Sequence, residues 1–308
     1  MVEKTAKIWM DGQLVDFEDA KVHILTHTLH YGLGAFEGIR AYQLEDGSSA
    51  VFRLQEHIRR LFDSCHIAGI QVPFTQAQVC QACVDLLKVN RLTHAYVRPL
   101  VYLGMGAMGL KALENPVRLA IISWDWGTYL GDDALTKGIR TKVSSLVRHG
   151  MDSSMVKAKM VGYYANAIMA KREALAGGYD EAIMLDQHGH VAEGPGENIF
   201  LVKNQVLQTP PYSSAVLGGI TRDSIIILAR ELGYRVKPQL FSRDELYIAD
   251  EAFFTGTAAE LTPIVAVDDR SVGGGTPGPV TKALQGRFFD ILKGRTSDHA
   301  EWLTKYKI

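Results

Sequence analysis

Apolar and polar positions change period repeatedly along the chain, and those changes predict its elements. IWMDGQLV sets an Asp11-Gly12 turn between two short apolar strands, and AYQLEDGSSAVFRL repeats the device at Asp46-Gly47. Between them, HTLHYGLGAFEGIRAY carries glycines at 32, 34 and 38, which suit close backbone approach better than a helix interior. From Leu54 the period turns helical: Leu54, Ile58, Leu61, Phe62 and Cys65 form an apolar stripe that leaves Arg59 and Arg60 off it. A helix over 76–88 follows, then strands in HAYVRPLVYLGMG and VRLAIISW, which completes an N-terminal α/β domain over 1–124.

DWGTYLGDDAL, at 125–135, reads as a connector because Gly127 and Gly131 interrupt any period. A second domain over 136–308 opens with a strand in GIRTKVSSLV. Val161, Ala165, Ile168, Met169 and Leu175 then fall at helical spacing, which predicts a buried helix from about Gly162. Antiparallel strands with turns at His188-Gly189 and Asn204-Gln205 come next. LGGITRDSIIILARELG reads as loop, helix and Gly233 stop, with Ile225, Leu228, Ala229 and Leu232 on the buried face. EAFFTGTAAELTPIVAVDD is strand, Gly-rich bend and strand, and Thr276-Pro277 can open a last helix through Leu292.

The 308 residues favour two domains over one core, and 47% hydrophobic with 22% charged residues is an ordinary globular balance. A net charge of −1 gives no electrostatic reason to expect nucleic acid or an anionic membrane as partner. MVEKTAKIWMDG has no signal-peptide core and no apolar run reaches the ~18 residues of a membrane span, so a cytoplasmic location is expected. Cys65, Cys80 and Cys83 are too few for a disulfide framework. Cys80 and Cys83 form a C-x-x-C, but Val79, Cys83 and Leu86 make one helical stripe, so packing is expected there, with no metal site.

Candidate chemistry gathers on Lys157 and Lys159, just before the predicted helix and beside Tyr163 and Tyr164. A lysine held against a core there is eased toward its neutral, nucleophilic form. In LGGITRD, Gly218 and Gly219 precede a helix start whose backbone N–H groups, at Ile220 and Thr221, suit an anion such as phosphate. The bend Thr255, Gly256, Thr257, Ala258 can form a second anion nest. EGPGEN holds Glu193 and Glu197 in a rigid turn, where one could pair with a pyridinium N–H and the other with backbone or an arginine. Arg98, inside the apolar run AYVRPLVY, wants a carboxylate partner. Each feature also has a plain structural account, as a surface lysine, a turn, an N-cap or an internal ion pair.

Taken in order, YGLGAFEGIRAY (31–42), EHIRRL (56–61), AYVRPL (95–100), KAKMVGYYAN (157–166), EGPGENIF (193–200), LGGITRD (217–223) and FFTGTAAELTPI (253–264) resemble the motif series of class IV aminotransferases, over nearly the whole chain. Within that class, FEGIR with AYVRPL and the GMGAMGL loop at 104–110 are similar to the bacterial branched-chain amino acid aminotransferases. The resemblance implies fold type IV: a smaller N-terminal α/β domain and a larger C-terminal domain with a mostly antiparallel, barrel-like sheet. It also implies the cofactor pyridoxal 5'-phosphate and a reversible, ping-pong exchange of leucine, isoleucine and valine with 2-oxoglutarate.

Residue by residue, Lys159 matches the Schiff-base lysine, Arg60 (not its neighbour Arg59) the phosphate ligand, Tyr164 the tyrosine on the cofactor's phenolic oxygen, and Glu193 the partner of the pyridine nitrogen. Leu217 would pack on the ring, while Gly219, Ile220, Thr221, Gly256 and Thr257 would hold the phosphate. Tyr96 and the Thr257 and Ala258 amides would take the substrate α-carboxylate, and Arg98 the distal carboxylate of glutamate. Tyr31, Phe36, Gly38, Trp126 and Tyr129 would wall the side-chain pocket, with Met108, Gly109 and Leu110 from a neighbouring subunit. A homodimer at least is thereby implied, with a trimer of dimers open. The chain departs from the family in Gly218, where proline is usual, and in Met160 and Tyr163 around the lysine. The rival readings are a D-amino acid or (R)-amine transaminase of the same fold and a non-catalytic binder of a phosphorylated metabolite.

Overall fold

The structure is a computed structural model that describes residues 4–111, 113–127, 130, 131 and 133–308. Tyr129, an expected pocket residue, lies outside the described residues. Two compact units share the chain by interleaved segments: 1–126, 158–163 and 290–308 in the first, 127–157 and 164–289 in the second. The sequence reading drew contiguous segments instead. Two short returns to the first unit, one of them carrying Lys159, have no composition or breaker signal to mark them.

In the first unit, β1 (Lys7–Met10) and β2 (Gln13–Asp16) form the Asp11-Gly12 hairpin, followed by α1 (His27–Tyr31), β3 (Gly34–Phe36), β4 (Ile39–Gln43) and β5 (Ser49–Phe52). Helices α2 (Leu54–Ile67) and α3 (Gln76–Val89) precede the long hairpin of β6 (Ala95–Leu103) and β7 (Val117–Trp124). The strand Leu303–Tyr306 returns to pair with β5. Among the described residues these eight strands form one sheet in which every pairing is antiparallel. The stripe of α2 (Leu54, Ile58, Leu61, Cys65) and that of α3 (Val79, Cys83, Leu86) bury completely or nearly so in one core. A Thr75–Gln78 capping box starts α3. Cys83 belongs to this core, and burial pushes its thiol far above the usual range and the Cys65 thiol up to about 12.

The second unit runs through α4 (Ala134–Lys137), β8 (Ile139–Val143), α5 (Tyr164–Ala176), β9 (Glu181–Leu185), β10 (Val191–Glu193), β11 (Asn198–Lys203) and β12 (Val206–Thr209). It continues with α6 (Ile220–Glu231), β13 (Arg235–Pro238), α7 (Arg243–Tyr247), β14 (Glu251–Gly256), β15 (Glu260–Val267), β16 (Arg270–Ser271) and α8 (Pro279–Leu292), whose last residues, from Asp290, belong to the first unit. Its sheet order is β10-β9-β8-β15-β14-β11-β12-β13, with antiparallel pairings outnumbering parallel ones. Asn204 and Gln205 both take positive φ (50° and 62°), the backbone that a two-residue hairpin turn needs.

Three helix expectations are corrected. A single 3-10 turn, Val161–Tyr163, precedes α5, whose buried face is Ala167, Ala170 and Ala174 rather than the larger apolar residues. Small side chains let the helix lie close on Ala182 and Met184 of β9, while Ala165, Ile168, Met169 and Leu175 are exposed. Leu232, expected on the buried face of α6, caps that helix and is exposed. The last helix starts at Pro279, later than Thr276-Pro277, because the buried Glu251 carboxylate accepts the backbone N–H groups of Val280 (2.9 Å) and Thr281 (2.8 Å). Among the described residues no helix is long and apolar enough to cross a membrane.

Candidate active site

In the first unit the chain presents Lys159 on an extended stretch, tied from both sides. Its backbone N–H donates to Ser64 Oγ (2.9 Å), and its carbonyl accepts the N–H of Phe36 (3.1 Å). Buried Ala158 and Met160 anchor the flanks, so the half-buried lysine side chain leaves from a fixed root. Its Nζ lies 5.1 Å from the centre of the Phe36 ring. The guanidinium of Arg98 lies over the same ring at 4.6 Å. Lys159 and Arg98, far apart in sequence, thus share one aromatic floor.

Period two along β6 puts Tyr96 and Arg98 on one face. Tyr96, Trp124 and Trp126 form an aromatic cluster, with Tyr96 and Trp126 centroids 4.4 Å apart. Arg98 Nη2 donates to the Tyr96 hydroxyl at a long 3.4 Å, its Nε is buried without a hydrogen-bond partner, and among the described residues no carboxylate pairs with it. A cation on an aromatic shelf with unspent planar donors suits an incoming carboxylate. Gly38 is required beside it: a Cβ there would stand 1.7 Å from the Tyr96 hydroxyl oxygen. Tyr31 stacks on His27 at 4.5 Å and is itself 44% exposed. Met108 and Leu110 are exposed, and the Gly109 carbonyl contacts His27 Nε2 at 2.8 Å.

Arg60 stands on α2 with Nε and Nη2 donating to the two oxygens of Glu37 at 2.6 and 2.8 Å. Burial alone would raise the Glu37 carboxyl, but the charges of Arg60 and His57 and their hydrogen bonds outweigh it and hold it far below the usual carboxylate range.

In the second unit, Glu193 ends β10 as a buried carboxylate with both oxygens committed. One accepts Arg148 Nε (2.7 Å), and the other accepts Asn198 Nδ2 (3.0 Å) and the Leu217 N–H (3.1 Å). Asn198 also donates to the Leu217 carbonyl (2.9 Å), so Glu193 and Leu217 are brought together. Glu197 takes the backbone option: it accepts the Gly196 N–H (3.1 Å), and burial with the nearby Glu181 charge pushes its carboxyl up to about 8.

Gly219 caps the 12-residue α6 without any side-chain hydrogen bond, leaving the N-terminus at Ile220 and Thr221 to backbone donors and the helix dipole. A Cβ at Gly219 would lie 1.8 Å from Asn198 Oδ1, so the loop is glycine where the amide passes. Gly218 is not simply slack, because Tyr212 fills the space a side chain would take, within 2.7 Å of a Cβ there. Lys157 Nζ lies 4.3 Å from the Tyr212 ring and donates to the carbonyls of Tyr212, Ser214 and Val216. Burial lowers its pKa, yet its donors are spent on that loop. Gly256 ends β14, and Thr257 and Ala258, half-buried, turn toward β15. Tyr164 is the first residue of α5 and half-buried.

Sequence reasoning missed Glu37, Arg148 and Asn198. Glu37 had a signal, a charge in the middle of a run that alternates into the core. Asn198 stood inside EGPGEN itself, one strand residue past the turn. Arg148 gave none, since only folding carries it from the loop after β8 to Glu193.

The Amino-transferase class IV family model matches residues 34–267. The chain is 50% identical to the branched-chain-amino-acid aminotransferase of Pseudomonas aeruginosa, over all of this chain and 99% of that one. It superposes on the crystal structure of the Escherichia coli branched-chain amino acid aminotransferase with a TM-score of 0.94 at 45% identity, covering 97% and 99% of the two chains. The crystal structure of the branched-chain amino acid aminotransferase from Thermobaculum terrenum, in its PLP-bound holo form, matches with a TM-score of 0.91 at 34% identity, over 98% of this chain and 99% of that one.

Proposed function

As the chain belongs to the class IV amino-transferase family, we propose that it exchanges the amino group of L-leucine, L-isoleucine or L-valine with 2-oxoglutarate, giving the branched-chain 2-oxo acid and L-glutamate. The observation that carries this reading is the pair of cations over Phe36, a lysine for the amino group and an arginine for a second carboxylate. The residues fit pyridoxal 5'-phosphate. Lys159 would hold its aldehyde carbon, Glu193 its ring nitrogen and Tyr164 its phenolic oxygen, with Leu217 on the ring. Arg60, Gly219, Ile220, Thr221, Gly256 and Thr257 would hold its phosphate. A helix N-terminus without a side-chain cap offers backbone donors for the phosphate, and an ion-paired buried carboxylate offers an acceptor for the ring N–H.

When bound, the cofactor supplies a sink for the electron pair left at the substrate Cα. Lys159 Nζ would take the proton from the substrate Cα and, as the conjugate acid, give it back, supplying the general acid–base part of the exchange. Arg148 and Asn198 fix the Glu193 carboxylate in place, where it would meet the N–H of the cofactor ring. Tyr96 with the Thr257 and Ala258 amides takes the α-carboxylate. Phe36, Gly38, Trp126 and Tyr31 would wall an apolar space, with Arg98 beyond it to receive the second carboxylate of glutamate. The two substrates therefore take turns in one pocket.

A half-reaction panel of L-leucine, L-glutamate, D-alanine and (R)-1-phenylethylamine, followed through the cofactor spectrum, tests this. The two L-amino acids convert the aldehyde form to the amine form; rapid conversion by D-alanine or the amine, with L-leucine inert, would sink the reading. The working unit is a homodimer at least, with Met108, Gly109 and Leu110 completing the neighbour's pocket. What supports it is the exposure of Leu110 and Leu113, at 93% and 86%, beside half-exposed Met108. Sedimentation velocity on the full chain gives a mass of two subunits or more, and a stable monomer that retains full activity contradicts it.

A further inference from the structure

His57, Arg60 and Ser64 follow one another along α2 at spacings of three and four and so share a face. That face meets Glu37, which lies between β3 and β4 and is completely buried. Four donors converge on its carboxylate: Arg60 Nε (2.6 Å) and Nη2 (2.8 Å), His57 Nδ1 (2.8 Å) and the Gly38 N–H (3.2 Å). The Glu37 N–H is fixed in turn to the Pro99 carbonyl at 2.9 Å. Burial lowers the His57 pKa against the attraction of Glu37. The ring's Nδ1–H serves Glu37, and Nε2 is buried without a partner. Ser64 Oγ, one turn on, donates to the Arg60 carbonyl (2.8 Å) and accepts the Lys159 N–H (2.9 Å).

We propose that Glu37 is a positioning residue which, with His57, sets the Arg60 guanidinium in advance for the phosphate of the cofactor. The inference rests on the Arg60 assignment of the proposed function and adds what holds that arginine. A guanidinium has five N–H donors in one rigid plane, and two of them engaged by a buried carboxylate fix the direction of the whole fork. Binding then spends no rotamer freedom on ordering the arginine. His57 contributes a further hydrogen bond to the same carboxylate, which holds Glu37 in line with the guanidinium.

The test compares dissociation constants of the cofactor-stripped full chain for pyridoxal 5'-phosphate and for pyridoxal, read by tryptophan fluorescence. Arg60→Ala lowers the preference for the phosphorylated form by about 100-fold, and Glu37→Gln by about tenfold, the scale of lost or loosened hydrogen bonds to a charge. In the double variant the preference falls no further than in Arg60→Ala alone. A Glu37→Gln protein that weakens for both ligands equally overturns the proposal, because general loosening would do that. Arg60→Ala with an unchanged preference overturns the phosphate assignment itself and the inference with it. If Glu37→Gln does not fold, Glu37→Asp keeps the charge but draws it back by one methylene, and the same two outcomes decide.

Discussion

Lys159→Ala abolishes transamination while leaving the fold intact. Loss of a general base alone removes about 10²–10⁴ in rate, and the proposed role makes this position the nucleophile as well, so turnover with L-leucine and 2-oxoglutarate is expected to fall by at least about 10⁴-fold. The geometry explains why the fold survives. Two hydrogen bonds at residue 159 run through its backbone, to Ser64 Oγ and from the Phe36 N–H, and alanine keeps both. The local loss includes a cation over the Phe36 ring, about 0.5–1 kcal/mol for a partly exposed pair, and a thermal melt registers a small shift. Lys157 is the internal control. Its Nζ is given to three carbonyls of the 212–216 loop, so Lys157→Met weakens that loop without removing the covalent anchor. Borohydride treatment followed by peptide mass mapping distinguishes the two lysines: the reduced cofactor adduct sits on residue 159 in the parent and in Lys157→Met, and is missing in Lys159→Ala. Substantial turnover by Lys159→Ala, or an adduct on Lys157, removes Lys159 from its role.

Local pattern was enough for the elements near the chemistry and insufficient for their partners. The Asp11-Gly12 and Asp46-Gly47 hairpins, the α2 and α3 stripes and the Gly219 helix start all follow from short-range rules of turn chemistry and periodicity, and they lie where the sequence puts them. The α5 face was misread because periodicity rewards large apolar residues, whereas the close approach to β9 selects Ala167, Ala170 and Ala174. Lys159 stood out beside a helix start, but its membership of the first unit is a tertiary fact, written in Ser64 and Phe36. The charged groups divide the same way. Glu193 and Arg60 announced themselves through motifs, yet the Arg148 and Glu37 that hold them come from distant segments. An ion pair across dozens of residues has no period to detect.

Arg98→Ala separates the two kinds of substrate. The arginine has a buried Nε without a partner, a long contact to the Tyr96 hydroxyl and three aromatic neighbours, Phe36, Tyr96 and Trp124. Removing the donors that meet a carboxylate forfeits charge-assisted hydrogen bonds, roughly 10- to 100-fold in kcat/KM for L-glutamate and 2-oxoglutarate. Leucine presents only methyl groups at that end, so its half-reaction changes by no more than a few-fold. Truncation to alanine also uncovers the aromatic floor and could disturb Tyr96, which would injure both substrates. Arg98→Met guards against that, since its unbranched stem still covers Phe36 and Trp124 while the fork is gone. The expected result is the same selective loss in both variants, measured as single-turnover rates against substrate concentration for L-leucine and L-glutamate. Equal losses for the two amino acids in Arg98→Met place Arg98 outside carboxylate recognition and leave it a packing residue of the β6 and β7 hairpin.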